Sequence, residues 1–244
     1  SDFNISFINN KVKKLPGGND IQQTERYLFG GVVSILREGE SLGSFYLYES
    51  NGVFSTAKEA AEAGYIDKIS KSNGGQPVAG DARWVDQNKD GVIDTKDKII
   101  AGNPIPDFTG GLNNTFKYKG LSLDAFFQFS KGNDVYNNFR TDLVRGYNTN
   151  YLKENLDAWK QEGDITDVPR NVLLDPANNS EGVVTRPSTR FLEDGSFIKL
   201  KTVTLTYEFP NSVLEKLKLS GLKVYAKGTN LLTITKYSGF DPEV

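Results

Sequence analysis

Leu112-Asn-Asn-Thr-Phe-Lys-Tyr-Lys-Gly-Leu-Ser-Leu-Asp-Ala-Phe-Phe-Gln-Phe-Ser130 reads as the clearest hairpin in this 244-residue chain. Before the reversal, Leu112, Phe116 and Tyr118 alternate with Asn113, Thr115 and Lys117. After Lys119-Gly120, Leu121, Leu123, Ala125, Phe127 and Phe129 share one face, and Ser122, Asp124, Gln128 and Ser130 share the other. A period of two is the signature of a strand, and a glycine between two such runs marks a tight turn. Phe126 is the exception to the alternation. Two environments suit such strands: a soluble core with a wet outer face, or lipid on the apolar side and a water-filled lumen on the polar side. Soluble sheets are the commoner case, and periodicity alone leaves both open.

The same period recurs on either side of the hairpin. Phe3, Ile5 and Phe7 alternate with Asn4 and Ser6 in a strand that runs into the basic stretch Lys11-Val-Lys-Lys14, and Pro16-Gly-Gly-Asn19 is a turn. Residues 25–36 suit another strand, and Gly43 to Tyr48 a short aromatic one whose Phe45, Tyr46 and Tyr48 are expected in a core or at an edge. Two long strands are expected at Ser196 to Phe209 and Leu222 to Thr235, joined by a helical turn over Pro210 to Lys218. Between Leu200 and Val203 the apolar phase moves from even to odd positions, the mark of a β-bulge or of a strand changing environment. Thr56 to Gly64 suits a short helix with a threonine cap and a glycine stop. Residues 131–195 read as one long insertion, with a helix over roughly Tyr151 to Gln161 striped by Leu152, Leu156 and Trp159, then an irregular stretch from Asp164 to Thr189. Trp159 is expected to pack that helix down. Insertions of this length inside compact domains are usually functional.

Composition removes whole classes of function. The chain has no cysteine and no histidine, which excludes disulfides, thiol nucleophiles, histidine triads and most zinc or haem sites. Twenty-nine basic against 31 acidic residues leave a net charge of -2, with no field to attract nucleic acid or anionic lipid. No apolar run approaches the ~20 residues a membrane helix needs, whereas a barrel strand needs only about 9–11 alternating residues. Ser1 begins no signal peptide, so the chain is expected to be either cytoplasmic or a processed or excised piece of something longer.

The most chemically specific stretch is Asp86-Gln-Asn-Lys-Asp-Gly-Val-Ile-Asp-Thr-Lys-Asp97. Oxygen side chains fall at loop positions one, three, five, nine and twelve as Asp86, Asn88, Asp90, Asp94 and Asp97, with Gly91 at the sharp turn and the Val92 carbonyl at position seven. That is the pattern of a calcium loop. Calcium takes six to eight hard oxygen ligands, so alternating side chains on a curling backbone converge on one point. Two carboxylates about 4 Å apart repel by roughly 4 kcal/mol at an effective dielectric near 20, so without Ca2+ the convergence is costly. Asp97 stands where the longer, bidentate glutamate of an EF-hand would be. The approach Gly74-Gly-Gln-Pro-Val-Ala-Gly80 forbids an entering helix, so this is a lone loop rather than an EF-hand pair. An Asp/Gly turn that binds nothing is the plainer alternative.

Several blocks then occur in a recognisable order: Gly43-Ser-Phe-Tyr-Leu-Tyr-Glu-Ser-Asn-Gly-Val-Phe54, Gly80-Asp-Ala-Arg-Trp84 leading into the loop, Ile100-Ala-Gly-Asn-Pro-Ile-Pro-Asp-Phe-Thr-Gly-Gly-Leu112, Phe191-Leu-Glu-Asp-Gly-Ser-Phe-Ile-Lys-Leu-Lys201, and Asn230-Leu-Leu-Thr-Ile-Thr-Lys-Tyr-Ser-Gly-Phe-Asp-Pro-Glu-Val244. From about Gly43 onward the chain resembles the C-terminal part of a SusC/RagA-type TonB-dependent outer-membrane transporter. The resemblance implies an all-β fold of antiparallel strands belonging to a large, 22-stranded transmembrane β-barrel, with short helices in long loops. Residues 1–244 would then be an incomplete barrel whose open edges need pairing. It also implies location in the cell outer membrane, uptake of oligosaccharides or peptides with a SusD-like lipoprotein, and drive from TonB–ExbBD through an N-terminal part outside this chain. On this reading the hairpin 112–130 spans the membrane, and residues 86–97 and 131–195 are extracellular. A soluble calcium-dependent binding module with a single dockerin-like loop is the alternative, although dockerins carry two loops. No motif singles out a catalytic pair among the 31 acidic residues, so no enzyme is expected.

Overall fold

The computed structural model describes residues 1–24, 32–70, 72–145, 150–172 and 186–243. In chain order the strands and α-helices are β1 (Asp2–Phe7), β2 (Ile21–Thr24), β3 (Val32–Leu36), β4 (Ser44–Tyr48), β5 (Ser50–Val53), α1 (Ala57–Ala61), β6 (Ile66–Asp67), β7 (Ala82–Trp84), β8 (Val92–Ile93), β9 (Lys98–Gly102), β10 (Phe108–Tyr118) and β11 (Leu121–Lys131). They continue as β12 (Asp134–Tyr136), α2 (Asn138–Arg145), β13 (Leu192–Asp194), β14 (Phe197–Glu208), α3 (Asn211–Leu217) and β15 (Lys223–Thr235). Residues 25–31 of the strand expected over 25–36, and 146–149 and 173–185 of the insertion, lie outside the described residues. The chain divides into two compact units: residues 1–9, 105–134 and 194–244, and residues 10–104 and 135–193. No described helix is long and apolar enough to cross a membrane.

The first unit is an open antiparallel sheet in the order β1-β10-β11-β14-β15. Lys119 and Gly120 both take positive φ, 44° and 83°, so a two-residue turn matched to the strand twist closes the β10–β11 hairpin. Gly110 permits close stacking: a Cβ there would collide with the Asn4 carbonyl and the Phe129 ring. Register then sorts the side chains. Phe3, Ile5 and Phe7 oppose Leu112, Gly110 and Phe108. Tyr118, Phe116, Leu112 and Gly110 oppose Leu121, Leu123, Phe127 and Phe129. These in turn meet Tyr207, Leu205, Leu200 and Ile198, and beyond them Val224, Ala226, Leu232 and Ile234. Residues directly opposite each other share a face. One face is therefore apolar across all five strands apart from Asn114 and the terminal Lys131.

The other face carries Asn4, Asn113, Thr115, Lys117, Asp124, Gln128, Lys199, Thr202, Thr204, Thr206 and Thr233, with Phe126 among them. The phase shift expected between Leu200 and Val203 is a bulge at Lys201. Phe126 opposes Thr202 but Phe127 opposes Leu200, and toward β15 the register also jumps between Leu200 and Thr202. The extra residue keeps Ile198 and Leu200 on the same face as Val203, Leu205 and Tyr207.

The second unit has a core of its own. A sheet β2-β3-β4-β9 is joined by the pairs β5–β7 and β6–β8, the latter parallel. Ile35, Leu47, Phe54, Trp84 and Ile93 are buried, with Tyr46 and Tyr48 among them, as expected of core tyrosines. Thr56 caps α1 by accepting from the Glu59 amide, and Gly64 follows with φ 74°. The helix expected over Tyr151 to Gln161 is only a 3-10 turn at Lys153–Asp157, and Leu156 is 71% exposed instead of lying in an apolar stripe. Ala158 leaves helical geometry at ψ 145°. Trp159 packs as expected, though not on a helix: its indole donates to the Ser55 carbonyl at 3.1 Å, and its amide to the Val168 carbonyl at 3.0 Å. The expected insertion 131–195 is redrawn as well, because β11 runs through Lys131 and Asp194–Gly195 belong to the sheet unit.

Candidate functional site

Two features of this chain bear on function, the acidic loop in the second unit and the two-faced sheet of the first. β7 delivers the chain into the acidic loop at Asp86, β8 lies within it and β9 carries the chain out after Asp97, so a strand enters where an EF-hand has a helix. Within the loop, Asp86 accepts from the Lys89 amide at 2.7 Å and the Gly91 amide at 2.8 Å. Asn88 accepts from the Asp90 amide at 3.0 Å, and Asp90 from the Val92 amide at 3.0 Å. Each short side chain bends back on the backbone two to five residues ahead, which curls the segment. Lys89 and Gly91, at φ 58° and 78°, make the curl possible, and for Lys89 the left-handed conformation is uncommon.

The far end of the loop is fixed differently. Asp94 caps the 3-10 turn Thr95–Asp97 and Asp97 reaches back to the Asp94 amide at 2.8 Å, a reciprocal capping box. Asp97 also accepts from the Gln87 amide at 2.9 Å and is completely buried. In the β6–β8 ladder the Gly91 and Ile93 carbonyls accept from Ile66 and Lys68. Carbonyls alternate along a strand, so that of Val92 lies on the opposite edge, toward the loop.

The structure thus brings Asp86, Asn88, Asp90 and Val92 together in one curl and ties Asp97 across its base through Gln87. Asp94 is turned to its own cap, and Asn88 Nδ2 donates to Asp90 at 3.0 Å. Among the described residues no three or more His, Cys, Asp or Glu side chains are gathered as a ligand set. The backbone shape and the hard-oxygen chemistry fit a calcium loop. The carboxylates are engaged with amides.

Behind the loop is a residue pair that no local pattern pointed to. Arg186 is fully buried, its guanidinium 4.4 Å from the Trp84 ring centre and 5.4 Å from that of Tyr48. Its Nη2 donates to both oxygens of Asp67 at 3.0 and 2.8 Å. Asp67 lies on β6, the strand paired with β8 inside the loop, and Tyr48, Trp84 and Ile93 form one buried cluster. Burial pushes the Tyr65 hydroxyl, packed on that cluster, up to about 12.

In the sheet, the faces rather than single residues make the site. Phe3 stacks on Phe129 at 6.2 Å, Phe7 meets Phe108 at a tilt of 55° and 5.8 Å, and Phe108 meets Phe129 edge-on at 6.2 Å, so aromatic rings cluster at one end of the apolar face. Phe116, Tyr118 and Tyr207 stand on the same face at the other end. Among the described residues only Phe197 and Leu214 of this unit are buried apolar side chains.

No family model matches the chain. It is similar to TonB-dependent receptor P3 of Formosa agariphila, 36% identical over 243 residues that cover 99% of this chain and 23% of that protein. TonB-dependent receptor SusC of Bacteroides thetaiotaomicron is 26% identical over 249 residues, 99% of this chain and 22% of its own length. The solved RagAB peptide transporter superposes with a TM-score of 0.70 at 28% identity, covering 99% of this chain and 24% of the matched one. An open antiparallel sheet with one apolar and one polar face, matched end to end in this way, places the chain among TonB-dependent receptors. Within them it belongs to the SusC/RagA type. The chain spans under a quarter of the length of these relatives, and they are receptors and transporters rather than enzymes.

Proposed function

We propose that the sheet is a section of the wall of an outer-membrane transporter that imports oligosaccharides or peptides together with a SusD-like lipoprotein, driven through TonB–ExbBD. The observation that carries this is the register: across five strands and a bulge, one face is apolar but for Asn114 and Lys131 and the other is mostly polar, with Phe126, Phe197 and Tyr225 its exceptions, while the unit has almost no dry interior. Such a sheet is stable where lipid covers one face and water the other. Eleven residues in each of β10 and β11, at about 3.4 Å per residue and tilted roughly 40°, reach across the ~25 Å apolar band of an outer membrane. The aromatic clusters at the two ends of the apolar face fall where the interfacial girdles of such barrels lie. Tight connections close one end of the sheet, at Lys119-Gly120 and through α3, while the long excursions 10–104 and 135–193 leave from the other. Short periplasmic turns and long extracellular loops are the rule in these barrels, which supports reading these two excursions as extracellular. The similarity to the RagAB peptide transporter favours peptides among the cargo classes.

Single cysteines introduced into the intact receptor test the wall. Thr204→Cys and Lys227→Cys, on the polar face, should react with a charged aqueous thiol reagent and Leu205→Cys should not. Equal reactivity at all three would overturn the reading.

The loop 86–97 is proposed to bind Ca2+ through Asp86, Asn88, Asp90, the Val92 carbonyl, Asp94 and Asp97. The positive φ of Lys89 and Gly91 and the inward edge of Val92 support it. Bound calcium would neutralise the assembled carboxylates, and Asp94 would have to turn from its cap to join them. Calorimetry should show one site that Asp90→Ala weakens at least about tenfold, the loss of one charged ligand of roughly 1.4 kcal/mol or more. Absence of any heat above background in the unmodified chain would remove the ion from the reading.

A further inference from the structure

After β15 the chain folds back instead of continuing outward. Thr235 Oγ1 donates to the Ser196 carbonyl at 2.9 Å and accepts from the Tyr237 amide at 3.1 Å, which pins the reversal to the end of β14. Residues 237–243 then lie along the polar face. Lys199, opposite Gln128 and Thr233 on that face, is only 1% exposed. Its ammonium donates to Asp241 and, at 2.6 Å, to Glu243. Lys201 donates to the same Glu243 oxygen at 2.7 Å. The Glu243 amide donates to Asp241 at 2.9 Å, so the two carboxylates are presented as a preformed claw.

The bulge gains a second meaning here. A regular strand needs no residue between Leu200 and Thr202, and the one inserted is a lysine that reaches the claw on the polar side. A buried ammonium without partners is strongly disfavoured, so Lys199 and the segment that covers it depend on each other.

We propose that Tyr237–Glu243 is a strap laid on the polar face and latched by Lys199 and Lys201, so that moving it aside unmasks two cations on the wall of the passage. This rests on the reading of the polar face as the lining of a water-filled passage. With the strap closed, two lysines and two carboxylates cancel and the passage is narrower. With it open, the wall is wider and positively charged.

The test uses the full-length receptor in membranes with Pro242→Cys as reporter, a position buried while the strap is closed, in a chain segment that has no native cysteine, and the labelling of the unmodified receptor subtracted. Lys199→Met and, separately, Glu243→Gln should each raise the labelling rate by about tenfold or more, equivalent to ~1.4 kcal/mol of lost closure. Lys201→Met should raise it less, because it removes one contact and leaves Lys199 in place. Glu243 lies outside the strands, so its substitution keeps the test informative if Lys199→Met fails to assemble. Unchanged labelling in Glu243→Gln overturns the latch, whatever Lys199→Met does. The wall is judged separately by the contrast between Thr204→Cys and Leu205→Cys: a lost contrast with faster Pro242→Cys labelling sinks the passage and leaves the latch. A preserved contrast with unchanged labelling sinks the latch alone.

Discussion

Asp97 and Arg186 are both fully buried charged residues, and they are accommodated in different ways. Asp97 accepts two backbone amides from its own loop. Arg186 depends on Asp67, 119 positions away, and on two aromatic faces. Removing one member of a buried pair leaves the other uncompensated, so Asp67→Asn should cost about 3–5 kcal/mol in denaturant unfolding of the second unit. Asp20→Asn, which breaks the half-exposed pair with Arg37, should cost about 1 kcal/mol or less; equal costs would refute the distinction. Two other aspartates respond to pH with opposite sign. Asp164 is held below the usual carboxylate range by the amides of Lys160 and Gln161. Its contribution is present above the unfolded pKa near 3.8 and lost as pH falls through the lower folded value. The amide resonances of Lys160 and Gln161 should therefore titrate below that point. Asp81 is pushed up by burial, against the pull of the Val78 amide and Arg170. Whatever it contributes is present below its unfolded pKa and lost as pH rises through the folded one. At this scale the loop aspartates were legible because their spacing is local. Arg186 was not, since a lone arginine has no spacing to read.

Among the elements, the bulge at Lys201 was legible and the helix at 151–161 was not. A phase change between apolar alternations can only be reconciled with one buried or lipid-covered face by an extra residue, so the pattern Leu200 to Val203 carried its own explanation. Deleting Lys201 should turn either Ile198 and Leu200 or Val203 and Leu205 to the wrong face. Barrel assembly, read by heat-modifiable electrophoretic mobility, should fail for the deletion and survive in Lys201→Ala. The stretch from Tyr151 has leucines at helical spacing, but its tryptophan is claimed by the Ser55 and Val168 carbonyls and its next turn by Asp164. One of those bonds comes from 104 positions away and the others from the stretch just downstream, and together they outweigh a short helix, whose own propensity is marginal. Leu156 and Ile165, 71% and 97% exposed, are what that rearrangement leaves in solvent.

Across the whole molecule, the two units follow different solvents. The second has a buried core and should respond to calcium as a unit. At free calcium about a hundredfold above Kd, chelation should lower its stability by ~2.7 kcal/mol while leaving the sheet of the first unit unchanged. Hydrogen exchange resolved by segment would show it, and equal loss in both units would contradict the assignment of the ion to residues 86–97. The sheet has open edges at β1 and β15 and apolar residues such as Phe3, Phe116 and Ile234 well exposed. It is completed by neighbouring strands and lipid rather than by its own interior.

The amino-acid order by itself determined where the long strands of the sheet run, where the hairpin turns, where the bulge falls and which aspartates share a loop, because each depends on neighbours within a few residues. Only the tertiary structure decided that the insertion anchors through Arg186 on Asp67, that Leu156 faces water, and that the last residues return onto Lys199 and Lys201. Those outcomes depend on partners 40 to 120 positions away, and no local period records which distant charge or ring will arrive.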